Sequence, residues 1–382
     1  MKASIKKAAL LVAAALAGAT AHAEVRIGVT LSATGPAAAL GIPQRNMAAL
    51  LPASIGGEKV ELTVFDDATD PSAANRNARR LATENKVDVI IGSSNVPGCA
   101  AIAEVAAELK LAQVAMCPVE VPPASAPWVF RAPQSNGLMA SALVAHMKQN
   151  GVKTLGFIGY ADAYGEGWLR DLRRLLEGTG ISLVAVERYA RTDTAVTAQA
   201  LKLASAAPDA ILIVGSGAPA ALPHTTLVER GYKGRLYQTH AAANADFLRV
   251  GGKAIEGAIL PVGPVVVASQ LPAEHPLRKP GIDLAKRYEE KYGQGSFNPF
   301  AAYLNDAFLL VQQAVPVALK TAKPGTPEFR VALRDALEGL RNVEATNGVF
   351  SMSAADHSGL DERARVLVKV EAGAFRLLPG SY

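Results

Sequence analysis

The chain alternates two textures along most of its length. Short apolar, β-branched runs are followed by stretches with helical spacing. "VRIGVTL" (Val25–Leu31) reads as a buried strand, and a helical stretch runs on through Leu50 and Leu51. "VELTVFD" (Val60–Asp66) is a second strand. Ser72 to Glu84 is amphipathic, with Ala73, Ala74, Ala78 and Leu81 on one side. "VDVIIG" (Val87–Gly92), a helix over Ala100–Leu109 and "LAQVAM" (Leu111–Met116) continue the series. Strands alternating with helices of about 10–15 residues imply βαβ units and a parallel sheet.

The pattern then restarts. "TLGFIGY" (Thr154–Tyr160), "SLVAVERY" (Ser182–Tyr189), "AILIVG" (Ala210–Gly215) and "RLYQT" (Arg235–Thr239) predict a second α/β sheet, with a helix over Gly165–Leu176. "EGAILPVGPVVV" (Glu256–Val267) reads as a crossing strand. Long helices follow near Pro280–Tyr292 and Phe300–Ala322, with a shorter one at Thr326–Leu337. The end reads as a hairpin, Val366–Val370 and Ala374–Leu378.

Composition adds a compartment. Lys2, Lys6 and Lys7 precede an apolar run from Ala8 to about Ala21, and Ala21-His22-Ala23 forms a cleavage-type site. This is the pattern of a secretory signal peptide over residues 1–23. Its apolar run is shorter than the roughly 20 residues that span a bilayer. A soluble, exported chain without membrane insertion is expected. Those three lysines account for most of the formal charge of +5. No basic stripe interleaved with aromatics is present, so a nucleic-acid partner is not expected. Two cysteines, Cys99 and Cys117, and six scattered histidines show no metal-ligand spacing, and no cofactor motif appears. The cysteines fall at the start of one helix and the end of a neighbouring strand. A disulfide and two buried thiols both fit that placement.

Two open α/β sheets put a ligand crevice beyond the carboxyl ends of their strands. The loop Leu31–Gly41 brings Ser32 and Thr34, whose hydroxyls suit an oxyanion. The loop Gly92–Cys99 brings Ser94 and Asn95 to a helix N-terminus, either as a carboxylate seat or as helix caps. Met116–Pro127 is stiffened by prolines and carries Glu120, facing cleft or solvent. Ser216 and Gly217 offer donors after the next lobe's strand, and His240 follows Thr239. No G-x-S-x-G elbow, Walker loop or G-x-G-x-x-G after a strand is present. Binding rather than catalysis is expected. A hydrolase would need Ser94 within hydrogen-bond reach of His240.

The stretches "IGVTLSATGPAAALG", "FDDATDPSAA", "VDVIIGSS", "AMCPVEV", "ADAYGEG" and "RGYKGRLYQTH", in this order, resemble the branched-chain amino acid (Leu/Ile/Val-binding) family of periplasmic binding proteins of ABC transporters. The resemblance implies a two-lobe type I periplasmic binding fold: two open parallel sheets flanked by helices and joined by three crossovers. It implies lobes of residues 24–138 plus 266–349 and 139–265 plus 350–382, acting as a monomer with an inner-membrane permease as partner. A sensor subunit presenting ligand to a membrane receptor would share that fold.

The departures bear on the ligand. The family's carboxylate-binding Ser falls on or beside Val96, and its Thr near Val121. The region of its ammonium-binding acid reads His240-Ala241-Ala242, its first-loop Tyr is Leu40, and its usual disulfide positions, near Thr69 and Asn95, lack cysteine. An unpaired buried ammonium costs several kcal/mol. The expected ligand is therefore a small carboxylate with an aromatic or apolar body. Ser94, Asn95, Ser216 and His240 would hold its carboxylate; Val96, Val119, Val121, Tyr164 and Phe300 would line its apolar side. "YADAYGEGW", "LYQTH" and "KPGTPEFR" resemble the subgroup that binds aromatic acids such as benzoates and arylglyoxylates. A branched-chain amino acid or an amide is the alternative ligand.

"YADAYGEG" (Tyr160–Gly167) places two carboxylates four residues apart. Asp162 suits a helix N-cap and Glu166 the first helical turn, where negative charge meets the helix dipole. Tyr164 is left to face the ligand. Tyr164→Ala should weaken binding of the cognate ligand at least tenfold by calorimetry; an unchanged affinity would show that the ring points elsewhere.

Overall fold

Residues 24–381 are described by a computed structural model, and the candidate signal peptide, residues 1–23, lies outside them. The first sheet is built from β1 (Val25–Leu31), β2 (Ser54–Ile55), β3 (Glu58–Asp66), β4 (Val89–Gly92), β5 (Ala112–Ala115) and β6 (Val129–Arg131), in the order β2-β3-β1-β4-β5-β6. Its neighbours run parallel except the short β2–β3 pair. The connecting helices are α1 (Ala38–Ala48), α2 (Pro71–Thr83) and α3 (Val96–Glu108). Ile27, Val29 and Leu31 of β1 point into one core, as the period of two requires. On the opposite face, Leu81 of α2 lies directly over Gly28.

After the first crossing come α4 (Asn136–Gln149), β7 (Thr154–Tyr160), α5 (Ala163–Leu176), β8 (Ser182–Tyr189), α6 (Thr197–Ser205), β9 (Ala210–Val214), α7 (Ala221–Glu229), β10 (Arg235–Gln238), α8 (Ala245–Gly251) and β11 (Ile259–Val262). The chain then returns to the first sheet. α9 (Arg278–Tyr292), α10 (Phe300–Ala318) and α11 (Pro327–Glu338) cover the face that Ile27 and Val29 present, with Leu304, Phe308, Phe329 and Leu333 filling the core. A two-stranded ribbon, β12 (Val343–Glu344) and β13 (Val349–Phe350), precedes the last crossing. The hairpin β14 (Val366–Glu371) and β15 (Ala374–Leu377) completes the second sheet, ordered β15-β14-β11-β10-β9-β7-β8. Only the β11–β14 and β14–β15 pairs are antiparallel there. The two mostly parallel sheets flanked by helices are the expected type I architecture.

Two elements differ from the pattern reading. α3 starts at Val96, four residues earlier than Ala100. Asn95 caps it by accepting the Gly98 N–H at 2.9 Å, and Pro97 sits in the first turn, where its missing donor costs nothing. The expected strand Glu256–Val267 is confined to Ile259–Val262, and a 3-10 stretch takes over from Pro264. No helix among the described residues is long and apolar enough to cross a membrane.

The three crossing segments touch. The Gln134 amide donates to the Ala364 carbonyl at 2.7 Å. A side chain at Gly263 would stand 2.2 Å from Asn347 Oδ1. Asp306 of α10, fully buried, accepts the backbone N–H of Thr346 (3.1 Å) and of Asn347 (2.9 Å), together with their side chains.

The start of α5 is pressed equally hard against β7. A Cβ on Gly165 would lie 1.9 Å from the Tyr160 carbonyl oxygen. Gly165→Ala should therefore cost about 1–3 kcal/mol, the usual range for forcing extra volume into packed structure. Urea unfolding of the variant reads this directly, with no loss as the contrary outcome.

Candidate functional site

A cavity lies where the strand ends of the two sheets face each other. The first sheet contributes Ser94, Asn95 and Val96 beyond β4, and Met116, Cys117 and Pro118 beyond β5. The second contributes Tyr164 of α5, Arg191 beyond β8, Ser216 beyond β9, and His240 and Ala241 beyond β10. Leu40 of α1, Pro133 of the first crossover, and Phe300 and Tyr303 of α10 close it.

Arg191 is the one formally charged side chain among the lining residues. Its Nε donates to Asp162 Oδ2 at 2.6 Å and its Nη1 to Ser216 Oγ at 3.1 Å. The guanidinium carbon sits 4.1 Å from the centre of the Tyr160 ring. Cation–π contact, ion pair and hydrogen bond together fix a planar fork at the cavity wall, with guanidinium donors still in hand. Asp162 also caps α5, its Oδ1 accepting the N–H groups of Tyr164 (2.8 Å) and Gly165 (3.2 Å). Glu166 turns outward to Arg188, whose guanidinium holds that carboxyl below the usual carboxylate range. The two carboxylates of the motif thus serve a helix start and two arginines, not a shared proton.

Tyr164 lines the cavity, and its hydroxyl donates to Thr239 Oγ1 at 2.9 Å. Burial pushes its phenol well up, so it stays neutral. His240 is buried, tilted against Trp168, and its Nδ1 has no hydrogen-bond partner. Burial lowers its pKa to about 4, so it offers the cavity a neutral imidazole.

Several residues proposed from the sequence sit elsewhere. Ser32 lies behind the wall: its hydroxyl donates to Asp67 at 2.7 Å and accepts from Asn95 at 2.9 Å. Burial pushes the Asp67 carboxyl up, and the Ser93 and Ser32 hydroxyls oppose this. Val119 is packed in the core, and its carbonyl accepts from Arg131. Glu120 is exposed and pairs with Arg170. Gly217 ties its loop to the next by donating to the Ala241 carbonyl at 2.8 Å. Ser94 and Asn95 do line the cavity, but their side chains are committed. Ser94 donates to Gln44 at 2.5 Å and accepts the Ser32 N–H, while Asn95 caps α3. Ser94 therefore does not bond His240, as a hydrolase would need.

Arg191 and Tyr303 are additions to the sequence reading. Arg191 stands two residues beyond β8, a strand end whose loop carries no glycine cluster to mark it. Tyr303 stands one turn after Phe300. Cys99 of α3 and Cys117 are disulfide-bonded, with Cα atoms 6.7 Å apart, so the bridge braces one cavity wall.

Comparison with known proteins places this geometry. The family model described as "Periplasmic binding protein" matches residues 24–374. The chain belongs to the periplasmic binding protein family. An extracellular ligand-binding receptor from Rhodopseudomonas palustris HaA2 is 46% identical, with a TM-score of 0.91 over 93% of this chain and 99% of that one. Leu/Ile/Val-binding protein homolog 3 of Brucella melitensis biotype 1 is 24% identical over 63% of this chain and 67% of its own length. An R. palustris ABC-transporter solute-binding protein, solved in complex with benzoate, shares the fold at 21% identity and a TM-score of 0.75, covering 93% of this chain and 95% of that one.

Protonating His240 would require charging a group buried beside Trp168. In the unfolded chain the imidazole titrates near its ordinary 6.5, and in the folded chain near 4. The unfolded state binds more protons between those values, so stability is full above about pH 6.5 and falls as pH drops towards 4. The loss should reach about 2 kcal/mol by pH 5. His224, also near 4 through burial, adds a parallel loss. Urea midpoints from pH 7 to pH 5 should fall in the wild type and fall less in His240→Asn.

Proposed function

We propose that this protein is the solute-binding component of an ABC importer, working in the periplasm as a monomer and delivering a small carboxylate to an inner-membrane permease. Its lobes, residues 24–138 plus 266–349 and 139–265 plus 350–382, close on the ligand. The ligand carries an aromatic or apolar body, of the benzoate or arylglyoxylate kind. It is bound and handed on, not turned over.

One observation carries this reading: the cavity lining holds a fixed guanidinium and no carboxylate. A carboxylate finds Arg191 and the Ser216 hydroxyl at one side. An ammonium finds no counter-ion on the lining, and burying it unpaired is costly. The rest of the wall, with Leu40, Val96, Met116, Phe300 and the Tyr164 and Tyr303 rings, is suited to a ring. Burying a ring of about 150–250 Å² at roughly 25 cal/mol per Å² contributes about 4–6 kcal/mol gross. That is enough to drive binding once the carboxylate is held. The benzoate-bound neighbour supports the ligand class.

Isothermal titration with benzoate and with leucine tests the choice. Benzoate should bind and leucine should bind far more weakly. Tight leucine binding with none for benzoate would overturn the aromatic reading in favour of a branched-chain amino acid. Arg191→Met should weaken benzoate at least tenfold, since hydrogen bonds to a charged group are worth about 1.5–3 kcal/mol.

A further inference from the structure

α10 touches both the ligand cavity and the crossovers. Phe300 and Tyr303 line the cavity. Asp306, one turn further along the same face, clamps Thr346 and Asn347 in the last crossing segment. Tyr303 does both jobs at once. Its ring lines the cavity, and its hydroxyl donates to Gln134 Oε1 at 3.3 Å. Gln134 belongs to the first crossing segment. Its amide donates to the Ala364 carbonyl at 2.7 Å and to the Asn347 carbonyl at 3.4 Å, both in the last one. A side chain on Gly263, in the second crossing segment, would lie 2.8 Å from the same amide nitrogen. One glutamine side chain therefore meets all three connections between the lobes, and the residue holding its other end is a cavity wall.

We propose that Tyr303 is the positioning residue through which an occupied cavity sets the geometry of the crossovers, with Gln134 as its relay. This rests on the reading that the ligand sits between the lobes. A ligand against the ring fixes the phenol. The phenol then fixes the Gln134 carbonyl oxygen, and the amide end of the same group holds the carbonyls of Asn347 and Ala364. The crossing segments cannot swing without breaking that chain of bonds, because each link is buried and a buried polar group left without its partner is costly. Tyr303→Phe keeps the cavity wall and removes the first link. Gln134→Met keeps the volume and removes the second.

Hydrogen–deuterium exchange on the mature protein tests this, with benzoate as the probe. In ligand-free protein, either substitution should speed exchange of the Thr346 and Asn347 amides at least threefold, leaving the β1 and β4 amides unchanged. In the wild type, benzoate should slow exchange in residues 345–348. In Gln134→Met, whose side chain lies outside the cavity lining, benzoate should still bind, within tenfold of the wild-type Kd, without slowing those amides. A merely structural tyrosine would alter the ligand-free rates and leave the benzoate-dependent protection intact, and that result overturns the proposal. So does unchanged exchange in both variants. If benzoate does not bind the wild type, the aromatic-acid reading fails by itself. Leucine then replaces benzoate as the probe, and protection of residues 345–348 that is present in the wild type and absent in Gln134→Met decides the role of Tyr303.

Discussion

A guanidinium held mostly out of water must have its charge met, and the site is organised around how Arg191 meets this demand. Asp162 takes one edge, Ser216 another, and the Tyr160 ring one face. Each partner is fixed by something else. Asp162 is committed to the first N–H groups of α5, and Tyr160 ends β7, pressed against Gly165. A buried pair of this kind is poor as a source of stability, because desolvation offsets most of the attraction. Its use is geometric. It fixes where the fork points, and it joins a helix start, three strand ends and the cavity into one rigid unit.

The first lobe solves the opposite problem. Its loops carry many hydroxyls and amides, and the fold spends them internally. Asp67 collects the Ser32 and Ser93 hydroxyls, Asn95 serves Ser32 and α3, and Ser94 serves Gln44. What remains facing the cavity from this side is apolar: Leu40, Val96, Met116 and Pro118. The cavity is thus polarised, with directed donors on one side and a greasy wall on the other.

Much of this was legible in the sequence. The two sheets followed from the alternation of apolar runs and helical spacing, and the cavity position followed from strand ends facing one another. The N-cap role of Asp162 followed from its place before a helix. What stayed hidden was how polar groups are shared out. Ser32 and Ser94 have the chemistry of ligand donors, but whether a hydroxyl is free depends on partners 35 and 50 residues away. Arg191 was missed for the converse reason. Nothing in "ARTDT" distinguishes a solvent arginine from one laid on a tyrosine ring, until β7 and β8 are known to be neighbours. Tyr303 sits in a mostly apolar helix, where its phenol gives no sign of reaching Gln134.

The interleaving of the two lobes has a consequence for how the chain comes into being. β1 is among the first strands to emerge, yet the helices that cover Ile27 and Val29 begin near residue 300. β11 likewise waits for β14 to flank it. A polypeptide delivered amino end first therefore cannot close the core around β1 until the region beyond residue 300 has arrived. The cluster around β7 and β9 draws almost all its residues from before residue 260, so the second sheet's core can settle while the first still waits.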